Sequence, residues 1–136
     1  KKDSGRGRAM EAVVIITILV LIQYIVFGIQ TGAARGRAGV KAPAQAGSDE
    51  FERMNRVHLN TAEQLIVFLP ALWMFAYYVK PLWAVGFGVV FIVGRFIYRA
   101  AYLKDPATRT VGFTLSFLPS AIMLVWVLVR SILSYF

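Results

Sequence analysis

The sequence has no cysteine and only one histidine, His58, among its 136 residues. No disulfide, thiolate metal site or protein cysteine nucleophile is therefore available, and a single imidazole builds neither a histidine metal centre nor an ordinary serine triad. Acidic residues are also few, seven against fifteen lysines and arginines, for a net charge of +8. That surplus does not point to nucleic acid, because the cations flank apolar segments as topology-setting charges do. What is abundant is apolar surface. The chain is 58% hydrophobic and 14% aromatic with a mean hydropathy of +0.63, well above the roughly half-apolar make-up of soluble domains.

No charged residue lies between Glu11 and Arg35 or between Arg109 and Arg130, and each interval approaches the ~20 apolar residues that cross a bilayer. Two shorter apolar stretches, 65–79 and 82–94, run into charged flanks that are still compatible with helix. The pattern predicts an all-α membrane protein, a single domain over 10–136 built as an up-down bundle of four transmembrane helices near 10–31, 50–79, 81–103 and 107–134. The opening KKDSGRGRA, residues 1–9, reads as a tag or mobile arm; without its four cations and one anion the net charge would be +5. The first span lacks the cleavage pattern of a signal peptide and is expected to be retained.

Residues 30–50, QTGAARGRAGVKAPAQAGSDE, predict a loop of about 15 residues, long enough in a bundle to suggest a function. Ser48 or Asp49 is placed to cap the second helix, with Glu50 and Glu52 at its positive end. Pro81 suits the first turn of the third helix, Asp105 and Pro106 end it, and Pro119 predicts a kink in the fourth. This topology puts Arg35, Arg37 and Lys41 on the same side as Arg99, Lys104 and Arg109. The far connection contributes only Lys80, so the cationic side is expected in the cytosol.

Two polar stripes interrupt the apolar helices. Arg53, Arg56, Asn60 and Glu63 fall within an arc of roughly 80 degrees on the second helix, and Arg95, Tyr98, Arg99 and Tyr102 within about 100 degrees on the third, at the same membrane face. An ionisable group inside a membrane costs roughly 2.5–3.5 kcal/mol, so such stripes face each other or a wet cavity. Pairing Glu63 with an arginine to hold the bundle, with the tyrosines as an interfacial belt, is one reading of them. The other follows from the imbalance: four arginines face one glutamate, and a bound anion would complete the set.

FERMNRVHLNTAE followed by FLP, then VGRFIYRAAYL and PATRTVGFTLSFLP, resembles the MAPEG family, the membrane-associated proteins in eicosanoid and glutathione metabolism. The family includes microsomal glutathione transferases, leukotriene C4 synthase and microsomal prostaglandin E synthase. The resemblance runs over essentially Met10 to Leu133, and the carboxy-terminal half is most similar to the prostaglandin synthase branch. It implies a homotrimer of four-helix subunits with glutathione bound between neighbours near the cytosolic face.

Arg56, Asn60, Glu63, Tyr98 and Tyr102 match family positions that hold the tripeptide, and Arg53 and Arg95 belong to the same stripes. Arg109 matches the arginine assigned to the thiol, with Thr110 beside it as a hydroxyl donor. Arg35, in the first loop, matches an arginine contributed by the adjoining subunit. His58 lies about 140 degrees from Arg53, where the resemblance implies a polar residue reaching the next subunit's site and packing alone implies a subunit contact. Gln64 departs from the tyrosine of leukotriene C4 synthase.

The implied enzyme is a glutathione transferase with a role in detoxification, activating the thiolate for attack on lipophilic electrophiles or hydroperoxides drawn from lipid, with isomerase chemistry also open. Its cosubstrate brings the sulfur that the protein lacks. Two alternatives remain at this stage: a non-catalytic lipid-binding relative resembling 5-lipoxygenase-activating protein, and a small four-span exporter. Short loops favour a bacterial inner membrane over endoplasmic reticulum.

Overall fold

Apolar periodicity and a small set of helix stops account for the architecture. The computed structural model describes the backbone of residues 2–136 and side chains from Gly5 onward. Helices α1 (Lys2–Ala38), α2 (Asp49–Tyr78), α3 (Pro81–Lys104) and α4 (Thr110–Tyr135) run up and down in chain order, with one 3-10 turn at Pro106–Thr108. All four are long and apolar enough to cross a membrane. The chain is an integral membrane protein. Helices α2 and α3 pair at the centre of the bundle, and α1 and α4 both pack on that pair.

The ends of α1 differ from expectation at both sides. Residues 2–9 are helical and continuous with the first span, and the Arg6 guanidinium donates to the Tyr77 carbonyl at the end of α2, 3.0 Å away. At the other end Gly32 and Gly36 stay helical, and the stop is Gly39, whose φ of +67° is open to glycine without steric cost. Val40 N–H donates to the Arg35 carbonyl and Gly39 N–H to the Gly36 carbonyl, which closes the helix with the paired bonds of a Schellman motif. The loop is consequently shorter than the sequence predicts, 39–48, and Arg35 lies in the last turn of α1 rather than in a loop.

Ser48 caps α2, accepting from Phe51 N–H at 3.1 Å, with Asp49, Glu50 and Glu52 in the first turn. The Arg37–Glu50 ion pair at 2.8 Å joins that turn to the end of α1. Lys80 and Pro81 make the tight turn into α3. Helix α2 continues through Pro70 and α4 through Pro119.

Two apolar clusters fill the interior. One, in the membrane centre and toward the far end, includes Val20, Phe68, Leu72, Phe75, Phe91 and Met123, with the Phe68 and Phe91 rings stacked at 4.1 Å. The other lies at the cationic end and contains Phe27, Phe51, Met54, Val57 and Tyr98. Less than half of each apolar span is buried within the chain, and Ile29, Ile66, Val125 and Leu133 are among the residues that face outward.

Candidate functional site

Helix α4 approaches α3 through two glycines. A Cβ on Gly112 would collide with the Tyr98 backbone, and one on Gly94 would stand 2.8 Å from Leu115 Cβ. This contact brings the start of α4 against the tyrosine face of α3. Asp105 accepts from Ala107 N–H at 3.1 Å, and the Thr108 hydroxyl donates to the Asp105 carbonyl at 2.7 Å, so the KDPATR turn is held by its own bonds. Arg109 follows directly as the residue that starts α4.

A cavity of about 500 Å³ opens there, lined by Arg56 and Asn60 of α2, Tyr98 and Tyr102 of α3, and Arg109, Thr110 and Phe113. Its size suits a small-molecule site. The tyrosine rings stack at 5.5 Å along one wall. Glu63 stands beside this wall, 3.5 Å from the Arg56 guanidinium, and accepts from the Asn60 amide at 3.3 Å. Asn60 also accepts from Arg95 Nη2 at 2.9 Å.

Arg95 is completely buried, its guanidinium carbon 4.2 Å from the centroid of the Tyr98 ring. Its Nε and Nη1 have no hydrogen-bond partner. A desolvated cation held by one amide and one ring face is expensive to maintain. Among the described residues the only ion pairs are Arg37–Glu50 and Arg56–Glu63. Arg109 donates only to the Pro106 carbonyl, at 3.0 Å. Among the described residues Arg95 and Arg109 of the cationic end thus have no carboxylate within ion-pair distance.

Not every residue of the two stripes enters the cavity. Arg53 turns toward the end of α3, donating to the Leu103 and Lys104 carbonyls at 3.0 and 3.2 Å. Those carbonyls are unpaired helix-end acceptors, so Arg53 clamps α2 to α3; it also lines a neighbouring cavity of about 550 Å³ that shares Arg56 and Tyr102. Arg99 donates to Gln30 on α1 at 2.8 Å. Arg35 lies 4.4 Å from the centroid of the Phe51 ring and donates to the Ala44 carbonyl. His58 stacks on Tyr24 at 4.5 Å and packs against Gly28. Within one chain, Arg35 and His58 are therefore on the α1 side, away from the cavity.

Phe113, which the sequence analysis did not single out, is part of the cavity wall. Its signal was position: it stands one turn beyond Arg109 on the same helix face.

The sequence pattern of the MAPEG family matches residues 13–129. An uncharacterized protein of Synechocystis sp. is 44% identical over 111 residues, covering 82% of this chain and 81% of its own length. Microsomal glutathione S-transferase 2 of Homo sapiens is 38% identical over 101 residues, 74% of this chain and 69% of that protein. Leukotriene C4 synthase of Bos taurus is 29% identical over 94 residues, covering 69% and 63% respectively. With the match extending through all four helices and across every residue that lines the cavity, this chain belongs to the MAPEG family.

Proposed function

We propose that this protein is a membrane-embedded glutathione transferase and that the α2–α3–α4 cavity holds glutathione. The observation that carries the reading is the convergence of Arg56, Asn60, Tyr98, Tyr102, Arg109 and Thr110 on one cavity with uncompensated positive charge. Glutathione is a small peptide with two carboxylates and one ammonium. The arginines suit its carboxylates, and Glu63 suits the γ-glutamyl ammonium. The buried, under-bonded Arg95 favours an anionic ligand that approaches through Asn60 and Tyr98.

A free thiol with a pKa near 8.5 is only a few per cent ionised at pH 7. Lowering that value by about 1.5 units takes about 2 kcal/mol of selective thiolate stabilisation, which a charge-assisted hydrogen bond supplies in a partly dry site. Arg109 is assigned this role and Thr110 is placed to donate a second hydrogen bond. The thiolate then forms a bond to an electrophilic carbon as a leaving group departs or an epoxide C–O bond breaks, and the alkoxide takes a proton. With a hydroperoxide, sulfur attacks oxygen: the O–O bond breaks, the alcohol leaves, and a second glutathione converts the sulfenic acid to disulfide and water.

The active assembly we propose is a homotrimer in which Arg35 and His58 serve the adjoining subunit's cavity. Their place on the α1 side of the chain supports this, as does the outward apolar surface of every helix. The lipophilic substrate enters from the bilayer, between α1 of one subunit and α4 of another. The density of cations at the cavity end supports a cytosolic site, and the Synechocystis relative supports a bacterial inner membrane. The decisive measurement is ultraviolet thiolate absorbance of the purified protein mixed with glutathione. Wild type is expected to show it and Arg109→Ala to lose it; no thiolate in wild type overturns the function, and an unchanged signal in the variant overturns the role of Arg109.

A further inference from the structure

The end of the bundle opposite the cavity carries its own arrangement of charge and apolar surface. Trp83 of α3 and Trp126 of α4 meet edge to face at 5.5 Å, and Phe75 of α2 supports Trp126 from within, also at 5.5 Å. Both indoles are 40% or more exposed. Lys80 Nζ stands 5.4 Å from the Trp83 ring centroid. Arg130 lies one turn beyond Trp126 on α4, and its only hydrogen bond is a donation to Ser134 Oγ at 3.3 Å. Two cations therefore sit just outward of one tryptophan pair, where α2 turns into α3 and α4 ends.

Apolar concavities lie on both sides of that pair. One, of about 770 Å³, is walled by Ile122, Trp126, Val129 and Leu133 and bordered by Arg130. The other, of about 340 Å³, is formed by Trp83, Gly86, Phe87 and Val90. Neither cation has a carboxylate within ion-pair distance among the described residues. Glu11 is the only acidic side chain described at this end, and it makes no ion pair.

We propose that this end binds one anionic glycerophospholipid, with its phosphate between Lys80 and Arg130 and its two acyl chains along the grooves that flank Trp83 and Trp126. Charge complementarity selects the headgroup: a zwitterionic lipid brings a cation of its own to Lys80 and Arg130, whereas a lipid with net negative charge offsets part of their charge without adding another. Two grooves divided by an aromatic pair fit a two-chain lipid better than one continuous helix of a second copy, whose Glu11 is the carboxylate it could offer Arg130. Tryptophan belongs at this depth, where the ring is half in hydrocarbon and its N–H meets the interface. The site is independent of glutathione.

The tryptophans provide the readout. The full chain is reconstituted in phosphatidylcholine vesicles, and brominated phosphatidylglycerol or brominated phosphatidylcholine is introduced to quench indole fluorescence. Each basic residue near an anionic lipid surface contributes about fivefold. Relative to the Lys80→Gln/Arg130→Gln double variant, which keeps Arg6 and Arg8 at this end, the expected preference for phosphatidylglycerol is about 25-fold greater in wild type and about fivefold greater in either single variant.

Trp83→Phe and Trp126→Phe should each lose part of the selective component and the double Trp83→Phe/Trp126→Phe variant most of it, while Trp73, on α2, reports the background. Unchanged helix content by circular dichroism confirms that the variants fold. Equal quenching of wild type by both lipids overturns the proposal. So does a Trp126 that neither lipid reaches together with an oligomeric state altered by Glu11→Gln, which would assign the groove to a second copy.

Discussion

Replacing Gly112 by alanine tests whether the α3–α4 contact sets the geometry of the cavity. The new Cβ would fall on the Tyr98 backbone and 2.8 Å from the Tyr98 Cβ. Carbon atoms pack at about 3.5–4.0 Å, so α4 must withdraw by roughly 1 Å. Backbone on both sides leaves no flexible side chain to move aside. Such overpacking costs about 1–3 kcal/mol, against which alanine returns up to about 1 kcal/mol of helix propensity.

The functional loss should exceed the loss of stability. Tyr98 and Tyr102 stand on α3, while Arg109 and Thr110 open α4, and the cavity needs both walls. Misplacing reacting groups by about 1 Å costs on the order of 100-fold in rate. Glutathione conjugation of a lipophilic electrophile by Gly112→Ala is expected to fall by about that factor, with a lowered thermal unfolding midpoint. Gly86→Ala is the control, since nothing lies within 4 Å of its added Cβ, and it should match wild type or gain a few degrees. A Gly112→Ala protein with wild-type midpoint and wild-type rate would refute the claim that this contact fixes the site.

Four further substitutions separate ligand binding from architecture. Arg56→Ala and Glu63→Gln break a pair whose side chains are about half exposed, so stability should change by less than about 1 kcal/mol while calorimetric affinity for glutathione drops at least about tenfold; wild-type affinity in both would remove this pair from the binding wall. Arg53→Ala should lose about 1 kcal/mol of stability with its two carbonyl bonds and keep glutathione affinity, so a large loss of affinity would show that Arg53 contacts ligand instead of clamping α3. Arg95→Met removes a buried cation with two unpartnered donors; the ligand-free protein should unfold no earlier than wild type, while glutathione should raise the midpoint much less. Earlier unfolding without ligand together with undiminished stabilisation by glutathione would make Arg95 purely structural.

Helix count, topology and the two stripes were legible in the sequence because each depends on local pattern: apolar runs of membrane length, Ser48 before the acidic turn, Pro81 after Lys80, and spacings of three and four. The end of α1 was not. Gly32, Gly36 and Gly39 look equivalent along the chain, and only Gly39 adopts a positive φ, while the Thr31 hydroxyl binds back to the Phe27 carbonyl and across to Met54. Helix α1 runs seven residues beyond the predicted stop, to the Gly39 turn. Arg53 and Arg56 likewise share a stripe, yet only Arg56 reaches the main cavity, because the open carbonyls at the end of α3 claim Arg53.

The sequence by itself determined that this chain crosses the membrane four times, carries excess arginine at one end and contains the residue pattern of its family. Tertiary structure decided which of those arginines remain available to a ligand, placed Phe113 in the wall, put Arg35 in the last turn of α1 and stacked His58 on Tyr24 of that helix. Periodicity fixes the face of a helix on which a side chain lies. What that side chain meets depends on how closely the neighbouring backbones approach, and here glycines at 94 and 112 set that distance.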